Sequence, residues 1–157
     1  MRFLKLFLYI LTILVLQTVI FSRLNFMGVS PDLALVSVII FAVLEERSPS
    51  TLFAAAISFV QDCLSVGPYL NTAFKTVISN VISSVRERFV GDEYSFAAGM
   101  VAIFTPAYIL AEVFFLYFVF QKEIGLLHLV IKIAVGTIYN LLLVPLLFPA
   151  VKAVVHE

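Results

Sequence analysis

The sequence predicts an all-α polytopic membrane protein, a compact six-helix transmembrane bundle, and three observations carry that prediction. Hydrophobic residues make up 62% of the 157 positions and charged residues 13%, with a mean hydropathy of +1.12, which leaves too little polar surface to cover a soluble globule. Apolar runs alternate with short stretches rich in charge, Gly, Pro or Asn, the pattern of spans joined by tight loops. The length accommodates about five or six spanning helices and no sizeable soluble domain. The expected organisation is one transmembrane domain over 1–157, with helices over 4–22, 32–45, 50–62, 69–85, 94–120 and 125–149.

The first helix follows Arg2 and Lys5. Its uncharged run is longer than the ~7–15 residues of a signal peptide, and no Ala-x-Ala-like site follows, so it reads as a retained span. Gln17 within it needs a hydrogen-bond partner or water, and a packed structural amide is the favoured role. The connection 23–31 contains Asn25, Gly28 and Pro31, a turn composition. Ser30, Pro31 and Asp32 then provide a helix start with a carboxylate near the positive dipole end. The second helix is apolar all round apart from Ser37 and is expected to face lipid over much of its circumference.

Glu45-Glu46-Arg47-Ser48-Pro49 reads as a charged loop. The third helix, 50–62, would rise only ~20 Å, short for a ~30 Å hydrocarbon core. Ser50, Ala54, Ser58 and Asp62 recur every four residues on it and form one small-to-polar stripe suited to close helix contact. Gln61 and Asp62 end this helix, and Gly67-Pro68 demands a turn before Asn71. The fourth helix is unusually polar. Thr72, Thr76, Asn80 and Ser84 share one stripe, with Lys75 and Ser79 beside it, so it should face the bundle interior, a cavity or a partner helix. The fifth helix contains Pro106, an expected kink, and is interrupted by Glu112. The sixth carries Lys132, Gly136 and Asn140 on one face.

Basic residues near the span ends set the expected orientation. A cytoplasmic N-terminus places Arg2, Lys5, Arg47, Arg86, Arg88 and Lys152 inside, with Arg23 and Lys122 outside. Six spans then leave both termini cytoplasmic, although a membrane-dipping hairpin in place of helices three and four also fits. At ~1.5 Å per residue, Glu112, Lys132 and Lys75 fall in the outer third of the bundle, alongside Asp32 and Asp62. Two cations and three carboxylates at that depth should pair or line a wet cavity. Structural ion pairs with snorkelling side chains and an outward-facing polar pocket or docking surface both fit this clustering.

Several function classes have no support in the residues. A formal net charge of zero gives no basic surface for nucleic acid. The lone Cys63 cannot form an internal disulfide and reads as an apolar filler. His128 and His156 lie at opposite ends of the last helix, and no His-Glu-x-x-His, Gly-x-Ser-x-Gly or phosphate-cradling glycine motif occurs. No catalytic, metal-binding or cofactor-binding residues are therefore expected, and the chain is expected not to be an enzyme.

Three motifs carry a family resemblance. Gly28-Val29-Ser30-Pro31-Asp32-Leu33 resembles the Gly-x-x-Pro-Asp-Leu start of the second span in bacterial rod shape-determining proteins of the MreD family. Phe59-Val60-Gln61-Asp62-Cys63-Leu64, followed by Gly67 and Asn71, is similar to that family's Gln-Asp segment, and Leu16-Gln17-Thr18 fits its first helix. A departure lies in the third helix, where Ala54, Ala55, Ala56 and Ser58 stand in place of glycines. The resemblance implies a non-enzymatic inner-membrane scaffold of the bacterial cell-elongation machinery that makes peptidoglycan. It implies a bitopic partner of the MreC type, and through it RodA, a class B transpeptidase and the MreB filament; the polar stripe of the fourth helix is expected to dock that partner's helix or a second copy of this chain. Such proteins are similar in architecture to the S components of energy-coupling-factor vitamin transporters, which supplies the alternative function. The residues expected to form the partner-binding surface or outer polar cluster are Asp32, Gln61, Asp62, Asn71, Lys75, Thr76, Asn80, Ser84, Glu112 and Lys132.

Overall fold

The computed structural model describes residues 2–21, 23–26, 28–65 and 70–155, and side chains from Leu4 onward. Six helices follow one another: α1 (Arg2–Val15), continued by a π-helical stretch Leu16–Phe21, α2 (Leu33–Leu44), α3 (Arg47–Leu64), α4 (Leu70–Arg86), α5 (Glu93–Phe120) and α6 (Leu126–Val155). The Gly67-Pro68 turn and His156 lie outside the described residues.

Every one of the twelve residues of α2 is buried, which corrects the expectation that this helix faces lipid. A uniformly apolar helix suits lipid and protein surroundings equally, so periodicity cannot separate the two. Here α1, α3, α4, α5 and α6 all pack against α2, and it becomes the axis of the bundle. Its length resolves the same way. Twelve residues rise about 18 Å, too little to cross a bilayer alone, but a helix sheathed in protein does not have to match the lipid thickness. Its single polar residue, Ser37, meets the Tyr9 hydroxyl of α1 at 2.8 Å, and Phe41 stacks on Phe53 of α3 with ring centroids 4.2 Å apart.

The apolar side chains that do face outward belong to other helices. Leu4, Phe7, Leu11 and Val19 on the first helix, Ile103, Phe114 and Phe118 on α5, and Leu127, Ile138, Leu142 and Leu146 on α6 are all half exposed or more. These helices supply the three stretches long and apolar enough to cross a membrane, Leu4–Phe21, Glu93–Phe120 and Leu126–Val155. The chain is thus an all-helical membrane protein whose apolar outer wall surrounds a buried central helix.

Helix boundaries also differ from expectation, most of them by one or two residues. α3 has 18 residues rather than 13, because Arg47, Ser48 and Pro49 form its first turn instead of a loop and Cys63 and Leu64 continue it past Asp62. Proline is tolerated there, since first-turn N–H groups have no intrahelical acceptor. α6 runs to Val155 through Pro145 and Pro149, past the expected end at 149. α4 ends at Arg86, one residue later than expected. The small stripe of α3 is buried along its whole length, with Ser50, Ala54, Ser58 and Asp62 at 2% exposure or less. Its contact partner is α4, the most extensively packed neighbour in the bundle, where the Ser50 and Ser83 hydroxyls meet at 2.8 Å.

Candidate functional site

The start of α2 is fixed from three directions. Between Phe26 and Val29 the backbone doubles back with reciprocal N–H to carbonyl bonds of 3.0 Å, and Gly28 takes a positive φ of 82° that a side chain would disfavour. The Gln17 amide then clamps the next residues, donating from Nε2 to the Pro31 carbonyl at 2.9 Å and accepting at Oε1 from the Leu33 N–H at 2.7 Å. From α6, Asn140 Oδ1 accepts the Asp32 N–H at 3.0 Å, while its Nδ2 donates to Thr105 Oγ1 of α5 at 3.2 Å. These bonds satisfy backbone groups that no intrahelical partner reaches. They also fix where Asp32 projects.

Asp32 Oδ1 caps its own helix by accepting the Leu35 N–H at 2.9 Å and takes a second bond from Lys75 Nζ at 3.0 Å. Lys75 lies 2.8 Å from Oδ2 as well and donates to Gln61 Oε1 at 2.7 Å. The Lys75 side chain is fully buried and that of Asp32 is 19% exposed. One ammonium therefore ties together α2, α3 and α4. Its Nζ also sits 5.5 Å from the centroid of the Tyr108 ring on α5, within cation–π range.

Asp62 has a different role from the one expected among the charged pairs. It accepts four hydrogen bonds, from Asn71 N at 3.2 Å and Nδ2 at 2.8 Å, and from Thr72 N at 2.8 Å and Oγ1 at 2.7 Å. The carboxylate from the end of α3 thus caps the first turn of α4, satisfying orphan N–H groups and meeting the positive end of the helix dipole. Asn71 Oδ1 in turn accepts the Tyr108 hydroxyl at 2.6 Å. The remaining pair, Lys132 and Glu112, meets at 2.8 Å with side chains 21% and 33% exposed.

Seven of the ten sequence-predicted residues are therefore gathered at one end of the bundle. Asp32, Gln61, Asn71, Glu112 and Lys132 line a single cavity of about 290 Å³ together with Gln17, Thr105, Tyr108 and Asn140, and Lys75 and Asp62 brace its wall from behind. Gly136, at the same face of α6, lets α5 come close: a methyl group at 136 would stand 2.9 Å from Ile109 Cδ1.

Thr76, Asn80 and Ser84 do not join this cavity. Asn80 Oδ1 accepts from Arg47 Nε at 3.0 Å, its Nδ2 donates to the Thr76 carbonyl at 3.1 Å, and Ser84 Oγ donates to the Asn80 carbonyl at 2.9 Å. All three are partly buried on the flank of α4, whose fully buried side is instead Lys75, Ile78, Ser79, Ile82 and Ser83. Thr105 and Tyr108 were not singled out in the sequence. Thr105, Tyr108 and Glu112 follow one another at spacings of three and four residues, which puts all three on one face of α5, and that polar face was the available signal. Comparison with known protein families, curated proteins and solved structures gives no match for this chain.

Proposed function

We propose that this chain is a non-enzymatic scaffold of the MreD type in a bacterial inner membrane, docking the transmembrane helix of a bitopic MreC-type partner within the cell-elongation machinery. The supporting observation is that the three motifs behind the resemblance form one spatial unit. Gln17 holds Pro31 and Leu33, Lys75 joins Asp32 to Gln61, and Asp62 caps the helix that carries Lys75. Segments far apart in sequence thus share one junction, as expected if they serve a common role.

The docking face lies on α4. Thr76, Asn80 and Ser84 are partly buried there beside Val77, Val81 and Val85, which are 60%, 43% and 43% exposed. Small polar and β-branched residues in register form a ridge against which a second helix can pack. In this reading both termini are cytoplasmic and the cavity opens outward. A phosphatase fusion after Glu157 would then be inactive, and an active one would reverse the topology.

Single cysteines at Thr76, Asn80 and Ser84 in a Cys63→Ser background test the docking face, with the MreC-type partner co-expressed. Crosslinks to the partner's helix with a four-residue rhythm are expected. Crosslinks without rhythm, or confined to the face of α5 near Glu112, would exclude it. The cavity supports a second reading, an S component of a vitamin transporter. Recovery of an ATPase module instead of a bitopic helix, after purification in mild detergent, would favour that alternative.

A further inference from the structure

We propose that the cavity at the Asp32 end binds a small zwitterion, a molecule carrying an ammonium and a carboxylate at opposite ends. The inference rests on the cavity's own chemistry and stands whether or not α4 docks a helix. At about 290 Å³ the space lies at the small end of ligand pockets, about 300–1,000 Å³. Its floor is closed by Thr105 and Asn140, 1% and 3% exposed and bonded to each other, and exposed Ser30 lies at its rim.

The unused valences decide the class of ligand. Lys132 spends one of its three N–H donors on Glu112 Oε2. Glu112 Oε1 has no partner among the described residues, and Gln61, which lines the cavity, receives Lys75 at Oε1 and has no acceptor for its Nε2 donors among the described residues. Among the described residues Asp32 Oδ2 holds only the Lys75 contact. Acceptors on Glu112 and Asp32 thus suit an ammonium, and donors on Lys132 and Gln61 suit a carboxylate. The third carboxylate of this end, Asp62, is met by four donors at the N-terminus of α4; the remaining ions, Lys75 and Lys132 against Asp32 and Glu112, balance, so a ligand with net charge would leave one of them uncompensated. A zwitterion leaves none.

The test uses the full chain in lipid nanodiscs and three matched probes: glycylglycine, its N-acetyl derivative, which lacks the cation, and glycylglycine amide, which lacks the anion. Glycylglycine should raise the melting temperature saturably, and each blocked analogue should need about tenfold more for the same shift, the usual cost of one unmatched charged contact. Glu112→Gln should abolish the preference over the N-acetyl probe, and Lys132→Gln the preference over the amide. Should either variant fail to fold, Ser30→Trp narrows the mouth without touching an ion pair and should abolish the glycylglycine shift. No saturable shift, equal shifts from all three probes, or a glycylglycine shift unchanged in Ser30→Trp would each overturn the assignment and leave a merely hydrated ion-pair site.

Discussion

At one end of the bundle Lys75 is fully buried 2.8 Å from Asp32, whereas at the other Lys152 and Glu93 meet at 3.6 Å with side chains 50% and 43% exposed. The chemical groups are the same and the consequences are opposite. An exposed pair is solvated with or without its partner and contributes about 0–1 kcal/mol. A buried pair contributes little over an apolar replacement, yet removing one member strands a charge where water cannot reach it. The Asp32 end is thus where the fold is most sensitive to single substitutions, and the Glu93 end is where it is most tolerant.

The largest expected effect is that of Lys75→Met. The loss should be about 3–5 kcal/mol, measured as unfolding in detergent, because Asp32 loses its counter-ion and Gln61 Oε1 its donor. A loss under 1 kcal/mol would mean that water reaches Asp32 freely and would erase the contrast between the two ends. Asp62→Leu comes next. It strands four donors of Asn71 and Thr72 and should cost about 2–3 kcal/mol. Asp62→Asn should cost about half of that, since the amide oxygen still serves Asn71 and only the Thr72 side loses its acceptor. If Asp62→Asn abolished function while the protein accumulated normally, the negative charge itself would be required.

Smaller effects are expected where the contrast predicts tolerance. The Ser58 and Ser79 hydroxyls are buried without partners among the described residues, so Ser79→Ala should be neutral or slightly stabilising in the same melt. Lys152→Ala should change stability by no more than about 0.5 kcal/mol, and less at high salt. Asp92, exposed at the start of α5, is held below its ordinary value of 3.8 by the Ser95 backbone N–H and then by the Ser95 hydroxyl. Its contribution is present at neutral pH and is lost only as pH falls below that value through the lowered one. Asp92→Asn should flatten the acid limb of a stability–pH curve slightly and leave pH 7 nearly unchanged.

What the sequence disclosed and what it hid follow from the same physics. Charged residues inside apolar runs are expensive unless they meet, so Lys75, Glu112 and Lys132 were readable as members of a cluster before any contact was known. The stripe Ser50, Ala54, Ser58 and Asp62 was readable because four-residue spacing of small groups has few uses besides close packing. The place of α2 was not readable, since Leu33–Leu44 has no polar face to orient it and only its neighbours decide between lipid and core. The pairing pattern was also hidden. Asp62 could have joined an ion pair by depth alone, and it caps α4 instead because the end of α3 and the start of α4 lie together across a short connection. Asn80 looked like a member of the same polar stripe as Thr72, but at two turns' distance the two meet different neighbours, Arg47 and Asp62.

A double-mutant cycle on Asp32 and Lys75 tests most directly whether one buried ion pair holds the junction. Stability is measured by reversible unfolding of the full chain in detergent for Asp32→Asn, Lys75→Met and the double variant. The expected outcome is a coupling of about 2 kcal/mol or more, with the double variant more stable than Lys75→Met alone, because the stranded charge is removed along with its partner. Additive losses, with coupling near zero, would contradict the account and show that the two residues contribute independently.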